Sequence, residues 1–152
     1  MTAPNHDERH RIRQAFRRPV YLPARITPHG FDVAEDHYDH LEGKIIKTTL
    51  ARKLFEDSFL ACSSSDGLRS EYGKLCAECR HPRCQPRLRI QLASERTIFV
   101  LELPATSAEN YFALEDEADR LGASLADWTV RLTVIDRGHW GEIVFERFEA
   151  PR

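Results

Sequence analysis

Apolar and polar residues alternate along much of the second half of the chain, and this alternation predicts β-strands. In residues 87–92 (RLRIQL) the leucines and the isoleucine fall on one side, and the arginines and the glutamine fall on the other. That pattern is typical of a half-buried strand with a basic outer face. Further strands are predicted at 98–103, 128–135 and 143–148. Residues 136–141 (DRGHWG) would join the last two strands as a hairpin.

The segment that follows Pro104 predicts one helix. Residues 106–109 (TSAE) fit a capping box, and apolar residues recur every three or four positions up to Leu121. Gly122 stands where a C-terminal glycine commonly ends a helix. The polar side of this helix would be acidic.

The first part of the chain has weaker patterns. Residues 1–30 contain four prolines and no sustained period, so we expect a flexible, basic arm there, ordered in part by residues 20–22. Residues 44–61 are rich in apolar side chains. They are compatible with one long strand, two shorter strands, or a partly helical segment.

The order of the predicted elements indicates a fold class. From Lys44 onward the order is strand, cysteine-bearing loop, strand, strand, helix, strand, strand, which is the order of an OB-fold. We therefore expect a mainly β (α+β) protein: an OB-like five-stranded barrel with one capping helix and an inserted zinc-binding loop at 62–84. Residues 31–152 would form this domain. A generic small α+β domain or a β-sandwich with the same element order is the alternative.

Composition and charge narrow the possible partners. The chain has 152 residues and a formal net charge of −2, but its charges are segregated. Residues 9–25 and 80–89 contain arginines and no acid, whereas 32–42 and 109–119 are acidic. A polarised surface should result. No apolar run is long enough to predict a membrane span, and the first residues do not resemble a secretory signal, so the expected location is the cytoplasm.

All four cysteines of the chain lie in one short polar stretch, at Cys62, Cys76, Cys79 and Cys84. The spacing of the central pair lets a tight turn present two thiolates to one tetrahedral metal ion, and the flanking cysteines can supply the remaining ligands. We therefore predict a structural zinc site, which would stabilise the loop and leave no coordination position for chemistry. Free thiols and a pair of disulfides are the alternatives, and His81 could replace Cys62 or Cys84 as a ligand.

A binding role for single-stranded nucleic acid follows from the arginines and the exposed aromatic residues. Such a site needs a cationic groove along the backbone and aromatic faces on which bases can stack. The residues predicted to supply these features are Arg69, Tyr72, Arg80, Arg83, Arg87, Arg89, Arg131 and Trp140. They do not distinguish DNA from RNA.

Residues 62–67 (CSSSDG) and 73–79 (GKLCAEC) resemble the zinc subdomain of phage-type single-stranded-DNA-binding proteins, in which a small metal loop is grafted onto an OB-fold. The resemblance implies non-enzymatic DNA binding in replication or recombination of a phage, plasmid or mobile element, with the four cysteines as zinc ligands. Those proteins typically include a histidine ligand, and here four cysteines are offered.

Two other functions are compatible with parts of the sequence. A zinc-stabilised protein–protein interaction module would use the acidic helix and the arginine-rich arm as docking surfaces for protein partners. A zinc-dependent deaminase is suggested by His40-Leu41-Glu42 followed by the central cysteine pair. Leu75, however, stands where that signature has proline, and four thiolates would leave no position for the reactive water. We therefore expect a protein that is not an enzyme.

Overall fold

The computed structural model describes residues 5–16, 18–56, 59–64, 66–79 and 84–148. Within these ranges the fold is mainly β, as predicted, with two α-helices, α1 (His6–Phe16) and α2 (Ala105–Arg120). The strands are β1 (Val20–Thr27), β2 (Gly30–Val33), β3 (Asp36–Tyr38), β4 (His40–Glu56), β5 (Phe59–Ser64), β6 (Cys84–Ser94), β7 (Thr97–Leu103), β8 (Val130–Asp136) and β9 (Gly141–Arg147).

These strands form one curled, half-barrel sheet in the order β3-β2-β1-β7-β6-β4-β8-β9, and β5 pairs with β4. All pairings are antiparallel except that of β1 with β7. The ambiguous segment 44–61 therefore forms parts of two strands rather than a helix. β4 organises the sheet, because residues 40–43 pair with β8 and residues 44–54 pair with β6.

Gly43 lies where β4 passes from its pairing with β8 to its pairing with β6. A Cβ atom at this position would lie 2.4 Å from the carbonyl oxygen of Ala93. Only glycine allows the two backbones to approach this closely. The curl of the sheet at this point therefore depends on a residue without a side chain.

The hydrophobic core lies between the sheet and α2. Alternate residues of the central strands supply most of it, and Tyr111, Leu114 and Ala118 contribute from α2. The largest core side chains with no exposed surface are those of Phe31, Ile90, Leu92, Leu101, Leu103, Val130, Leu132 and Ile143. The strands predicted from alternating residues in the second half are thus present, and their apolar sides face inward.

Two polar side chains of α2 complete the hydrogen bonding of β9. The Ser107 hydroxyl accepts a hydrogen bond from the backbone N–H of Ile143 at 2.9 Å, and the Asn110 amide donates to the Ile143 carbonyl at 2.8 Å. The predicted capping box is wrong in detail. The helix begins at Ala105, so Thr106 and Glu109 lie inside it, and the residue at the cap position, Pro104, has no side-chain group that could cap the helix. Its predicted end is correct, with Gly122 at φ +64°.

The N-terminal region is more structured than the predicted arm. α1 begins after Asn5, whose side-chain oxygen accepts a hydrogen bond from the N–H of Glu8 at 2.8 Å. An asparagine cap followed by acidic residues in the first turn is a recognisable helix start, which the search for apolar periodicity did not detect. From Val20 onward the predicted arm differs from the structure, because β1 pairs with β7 and Ala24 lies in the core.

Neither helix in the described part of the chain is long and apolar enough to cross a membrane.

Candidate nucleic-acid groove and cysteine cluster

A groove of about 720 Å³ lies across β1, β6 and β7 and reaches the tip of the β8–β9 hairpin. Its cationic lining comes from Arg25, Lys53, Arg87 and Arg89, and its aromatic lining comes from Tyr21 and Trp140. The groove is on the outer face of the sheet, since Arg87 and Arg89 alternate along β6 with the core residue Ile90. Of the predicted nucleic-acid-binding residues, the structure brings together Arg87, Arg89 and Trp140.

Positive charge dominates the floor of this groove. Arg89 lies directly opposite Glu102 in the β6–β7 ladder, and Lys53 forms an ion pair with the same carboxylate. Glu102 is the only acidic residue in the lining, which also holds four arginine or lysine side chains. The lining therefore contains three more positively charged than negatively charged side chains, which favours a polyanion as its ligand.

The hairpin tip holds Trp140 at the edge of the groove. Asp136 accepts a hydrogen bond from the N–H of Gly138 at 2.8 Å, and the N–H of Arg137 donates to the carbonyl of Trp140 at 3.0 Å. Tyr21, on β1, is 55% exposed and lines the same groove. Two aromatic rings therefore border one cationic groove.

Arg131 lies apart from this groove. Its guanidinium binds the Glu42 carboxylate at 2.8 Å through Nε and at 2.6 Å through Nη2, and it stacks 4.5 Å from the ring centre of Phe148. Glu42 and Arg131 are direct partners in the β4–β8 ladder, which explains the pairing. Arg131 is thus paired with a carboxylate of β4, and unlike Arg87 and Arg89 it does not line the groove.

The remaining predicted residues belong to the cysteine loop. Arg69 donates to the Gly73 carbonyl at 3.1 Å, and the Tyr72 hydroxyl donates to the Ala61 carbonyl at 3.4 Å. Tyr72 is 69% exposed, and the neighbouring Glu71 carboxylate raises its pKa. The predicted residues Arg80 and Arg83, and the alternative ligand His81, lie outside the described residues.

The four cysteines line a second pocket, of about 190 Å³. Cys62 on β5 and Cys84 on β6 both lie opposite Leu54 of β4. Cys76 and Cys79 lie at a single 3₁₀ turn, in which the N–H of Cys79 donates to the carbonyl of Cys76 at 3.1 Å. The predicted tight turn is therefore present, and strand pairing brings the flanking cysteines to it.

No disulfide joins the four cysteines of this pocket. Burial raises the pKa of Cys84, and the nearby Cys79 and Cys76 add to that effect, while the guanidinium of Arg52 acts in the opposite direction. Across the described ranges, no group of three or more His, Cys, Asp or Glu side chains is arranged so that it could hold a metal ion. The pocket gathers the predicted donor set without a formed coordination sphere.

Hydrogen bonds organise the first part of the cysteine loop. The Asp66 carboxylate accepts from the N–H groups of Leu68 and Arg69 at 2.8 and 3.1 Å, and these bonds lower its pKa. The buried Ser64 hydroxyl accepts from the N–H of Gly67 at 3.0 Å and donates to the Arg69 carbonyl at 2.6 Å. Serine, aspartate and glycine in this order are typical turn residues. These residues hold the first part of the cysteine loop in place, although none of them was among the predicted site residues.

The groove and the cysteine pocket lie on opposite faces of the β4–β6 ladder. Lys53 lines the groove, whereas its neighbours Arg52 and Leu54 line the cysteine pocket. Likewise, Arg87 and Cys84 differ by an odd number of positions along β6 and therefore point to opposite sides. Tyr72 and the cysteines do not share the groove with Arg87 and Trp140.

Several residues that line the groove are not among the predicted binding residues. Tyr21 and Arg25 were assigned to the arm, and Lys53 lay in the segment of ambiguous structure. Glu102 was predicted only as part of a strand. The alternation of apolar and polar residues along each strand could have identified Glu102, because it places Glu102 and Arg89 on the outer sides of their strands.

The residues that suggested a deaminase do not form one site. His40 and Glu42 lie at the start of β4, with His40 Nε2 3.4 Å from Glu42 Oε1, whereas the cysteines gather around Leu54 near its end. Strands rise about 3.3 Å per residue, so tens of ångströms of strand separate the two groups. This geometry gives the deaminase interpretation no support.

No protein-family model, curated protein or solved structure matches this chain.

Proposed function

We propose that this protein binds single-stranded nucleic acid, without catalysing a reaction, in the groove lined by Arg87, Arg89 and Trp140. The observation that carries the proposal is that one groove combines cationic side chains from β6 with aromatic rings from β1 and the hairpin tip. Proteins that bind single strands without sequence readout use this combination, with cations along the backbone and aromatic faces under the bases.

In this proposal, the part of the sheet from β4 to β9 corresponds to an OB-like barrel. From β4 onward, the antiparallel pairings β4–β6, β6–β7, β4–β8 and β8–β9 are those of such a barrel. β1 lies beside β7 and reaches β9, since a Cβ at Gly141 would lie 2.5 Å from the Thr27 carbonyl oxygen. OB-folds bind ligands on the face of their second and third strands, next to the loop joining the last two. In this chain the corresponding parts are β6, β7 and the hairpin tip.

A single strand suits this groove better than a duplex. The rings of Tyr21 and Trp140 can stack only on bases whose faces are accessible, and pairing and stacking hide those faces in a duplex. For single strands, the logarithm of the binding constant falls linearly with the logarithm of the salt concentration, and each phosphate that a lysine or arginine neutralises makes this slope steeper by about 0.7. Contacts from Arg25, Arg87 and Arg89, which line the groove, together predict a slope of about 2.

The proposal also retains a structural zinc ion held by Cys62, Cys76, Cys79 and Cys84. The four thiols around this small pocket are the donors that zinc prefers in closed sites. A bound zinc ion would cross-link the loop to β5 and β6. Because this pocket faces away from the groove, zinc would stabilise the fold without contacting the nucleic acid. The resemblance in the cysteine loop suggests a role in phage, plasmid or mobile-element replication or recombination.

Fluorescence anisotropy with a labelled single strand and a duplex, at two salt concentrations, tests the proposal. Wild-type protein should prefer the single strand and bind it less tightly at the higher salt concentration. Arg89→Glu should abolish this binding, whereas Arg120→Glu should retain it. Arg120 is an exposed residue in the last turn of α2 and lies outside the groove lining, and the two variants change the net charge equally. Absence of wild-type binding at both salt concentrations would instead favour a protein-interaction module.

A further inference from the structure

Helix α1 carries a cationic surface that the groove does not include. Every residue from His6 to Arg13 is exposed, and Ile12 has 47% of its surface accessible to solvent. The helix contains Arg9, Arg11 and Arg13, and no acid follows Glu8 until Asp32. Arg9 and Arg13 are four positions apart, so they share one face and lie about 6 Å apart along the helix axis. At least two arginines can thus face one extended polyanion.

The position of α1 in the chain ties this surface to the groove. Only residues 17–19 separate the end of α1 from Val20, the first residue of β1. Three extended residues span about 10 Å. On β1, Tyr21 and Arg25 line the groove. The basic helix is therefore tethered next to the groove wall on which Tyr21 lies.

We infer that α1 is a second phosphate-binding element, which a nucleic-acid strand contacts after it leaves the groove past Tyr21. The inference rests on the proposed function and extends the binding site beyond the groove. Two arguments favour nucleic acid over an acidic protein as the partner of α1. The arginines of the helix have the same sign of charge as the groove cations on β1 and β6, and the short tether keeps the helix close to any strand held in the groove.

The length dependence of binding separates the helix from the groove. The variant Arg9→Gln/Arg11→Gln/Arg13→Gln removes the helix cations and keeps residues with good helix propensity. It should bind an oligonucleotide of about 4 nucleotides as well as wild type does, because such a strand fills the groove alone. For a strand of about 16 nucleotides, affinity should fall about tenfold. The salt slope should also fall by about 1.4, as expected for two lost phosphate contacts.

Two further variants provide the controls. Lys44→Gln/Lys74→Gln/Arg120→Gln removes the same charge from exposed positions outside the groove and should change both affinities by the same small factor. Replacing the three helix arginines by lysine keeps the charge and should preserve the affinity for the longer strand.

The outcomes distinguish this inference from the proposed function. If wild-type protein binds neither strand, the proposed function itself is refuted, and the inference with it. If wild type binds but the glutamine variant shows the same length dependence and salt slope, the groove remains and the inference about α1 is overturned. That result would point to an acidic protein surface as the partner of the helix. Equal weakening on both strands would also overturn the inference, since the effect would then be one of net charge.

Discussion

Glu102 is the one acidic side chain in the groove lining, and its removal should tighten binding. The carboxylate is paired with Lys53 and lies directly opposite Arg89, which we propose as a phosphate ligand. Directly opposite residues on antiparallel strands have Cβ atoms about 5 Å apart. A phosphate on Arg89 would therefore lie about 7 Å from the Glu102 carboxylate. The substitution Glu102→Gln keeps the shape of the side chain and removes the repulsive charge.

The size of the effect follows from Coulomb's law. Two unit charges about 7 Å apart, with an effective dielectric constant of about 20, repel each other by about 2.4 kcal/mol. Lys53 offsets part of this repulsion while it remains paired with Glu102. A gain of about 1–2 kcal/mol in binding free energy is therefore expected, which is about a 5- to 30-fold lower Kd. The released Lys53 ammonium would also be available to the backbone.

Anisotropy titrations of Glu102→Gln and of the control Glu117→Gln measure this effect. Glu117 lies on the exposed side of α2 and outside the groove lining, so its substitution changes net charge alone. Thermal unfolding should show that both variants fold, with the lower melting temperature for Glu102→Gln, since the Lys53–Glu102 pair keeps only 30% and 26% of its side-chain surfaces exposed and the substitution leaves Lys53 without its carboxylate. Equal affinities for the two variants, or weaker binding by Glu102→Gln, would refute the placement of the phosphate.

Three further predictions concern stacking, the edge of the sheet and the metal. Trp140→Ala should weaken single-strand binding by about 1–3 kcal/mol, the contribution of one stacked base, and unchanged affinity in anisotropy would remove Trp140 from the site. Ser107→Ala should lower the free energy of unfolding in urea by about 1–3 kcal/mol, because the buried N–H of Ile143 loses its acceptor; an unaltered midpoint would contradict this. Purified protein should contain one zinc ion per chain by elemental analysis. Removal of the zinc by a chelator should speed hydrogen exchange in residues 62–84 and leave nucleic-acid binding in the groove unchanged. Loss of that binding would contradict the separation of the two sites.

The sequence predicted the parts of the fold that depend on local patterns. Alternating residues predicted β6 to β9, and Gly122 predicted the end of α2, because side-chain period and turn chemistry are local properties. β1 was missed because its partner β7 is far away in the sequence, and two prolines within 19–23 suggested a loop. Long-range parallel pairing leaves little local signal in a single sequence.

In the binding site, too, local patterns placed some residues correctly, and long-range strand pairing placed others differently from the prediction. Arg87, Arg89 and Trp140 come together because strand alternation and the hairpin place them there. Arg131 was assigned to the groove because the β4–β8 register, which pairs it with Glu42, is not visible in the sequence. The cysteine loop was grouped with the groove, although position parity along β6 already places Cys84 with the apolar residues and away from Arg87.

Ultraviolet cross-linking of the wild-type protein to a single-stranded oligonucleotide, mapped by mass spectrometry of the peptides, would show which residues contact the strand. We expect cross-links at Trp140 and Tyr21, the two aromatic residues that border the cationic groove. Cross-links confined to Tyr72, on the opposite face beside the cysteines, would contradict the groove and place the strand on the cysteine loop.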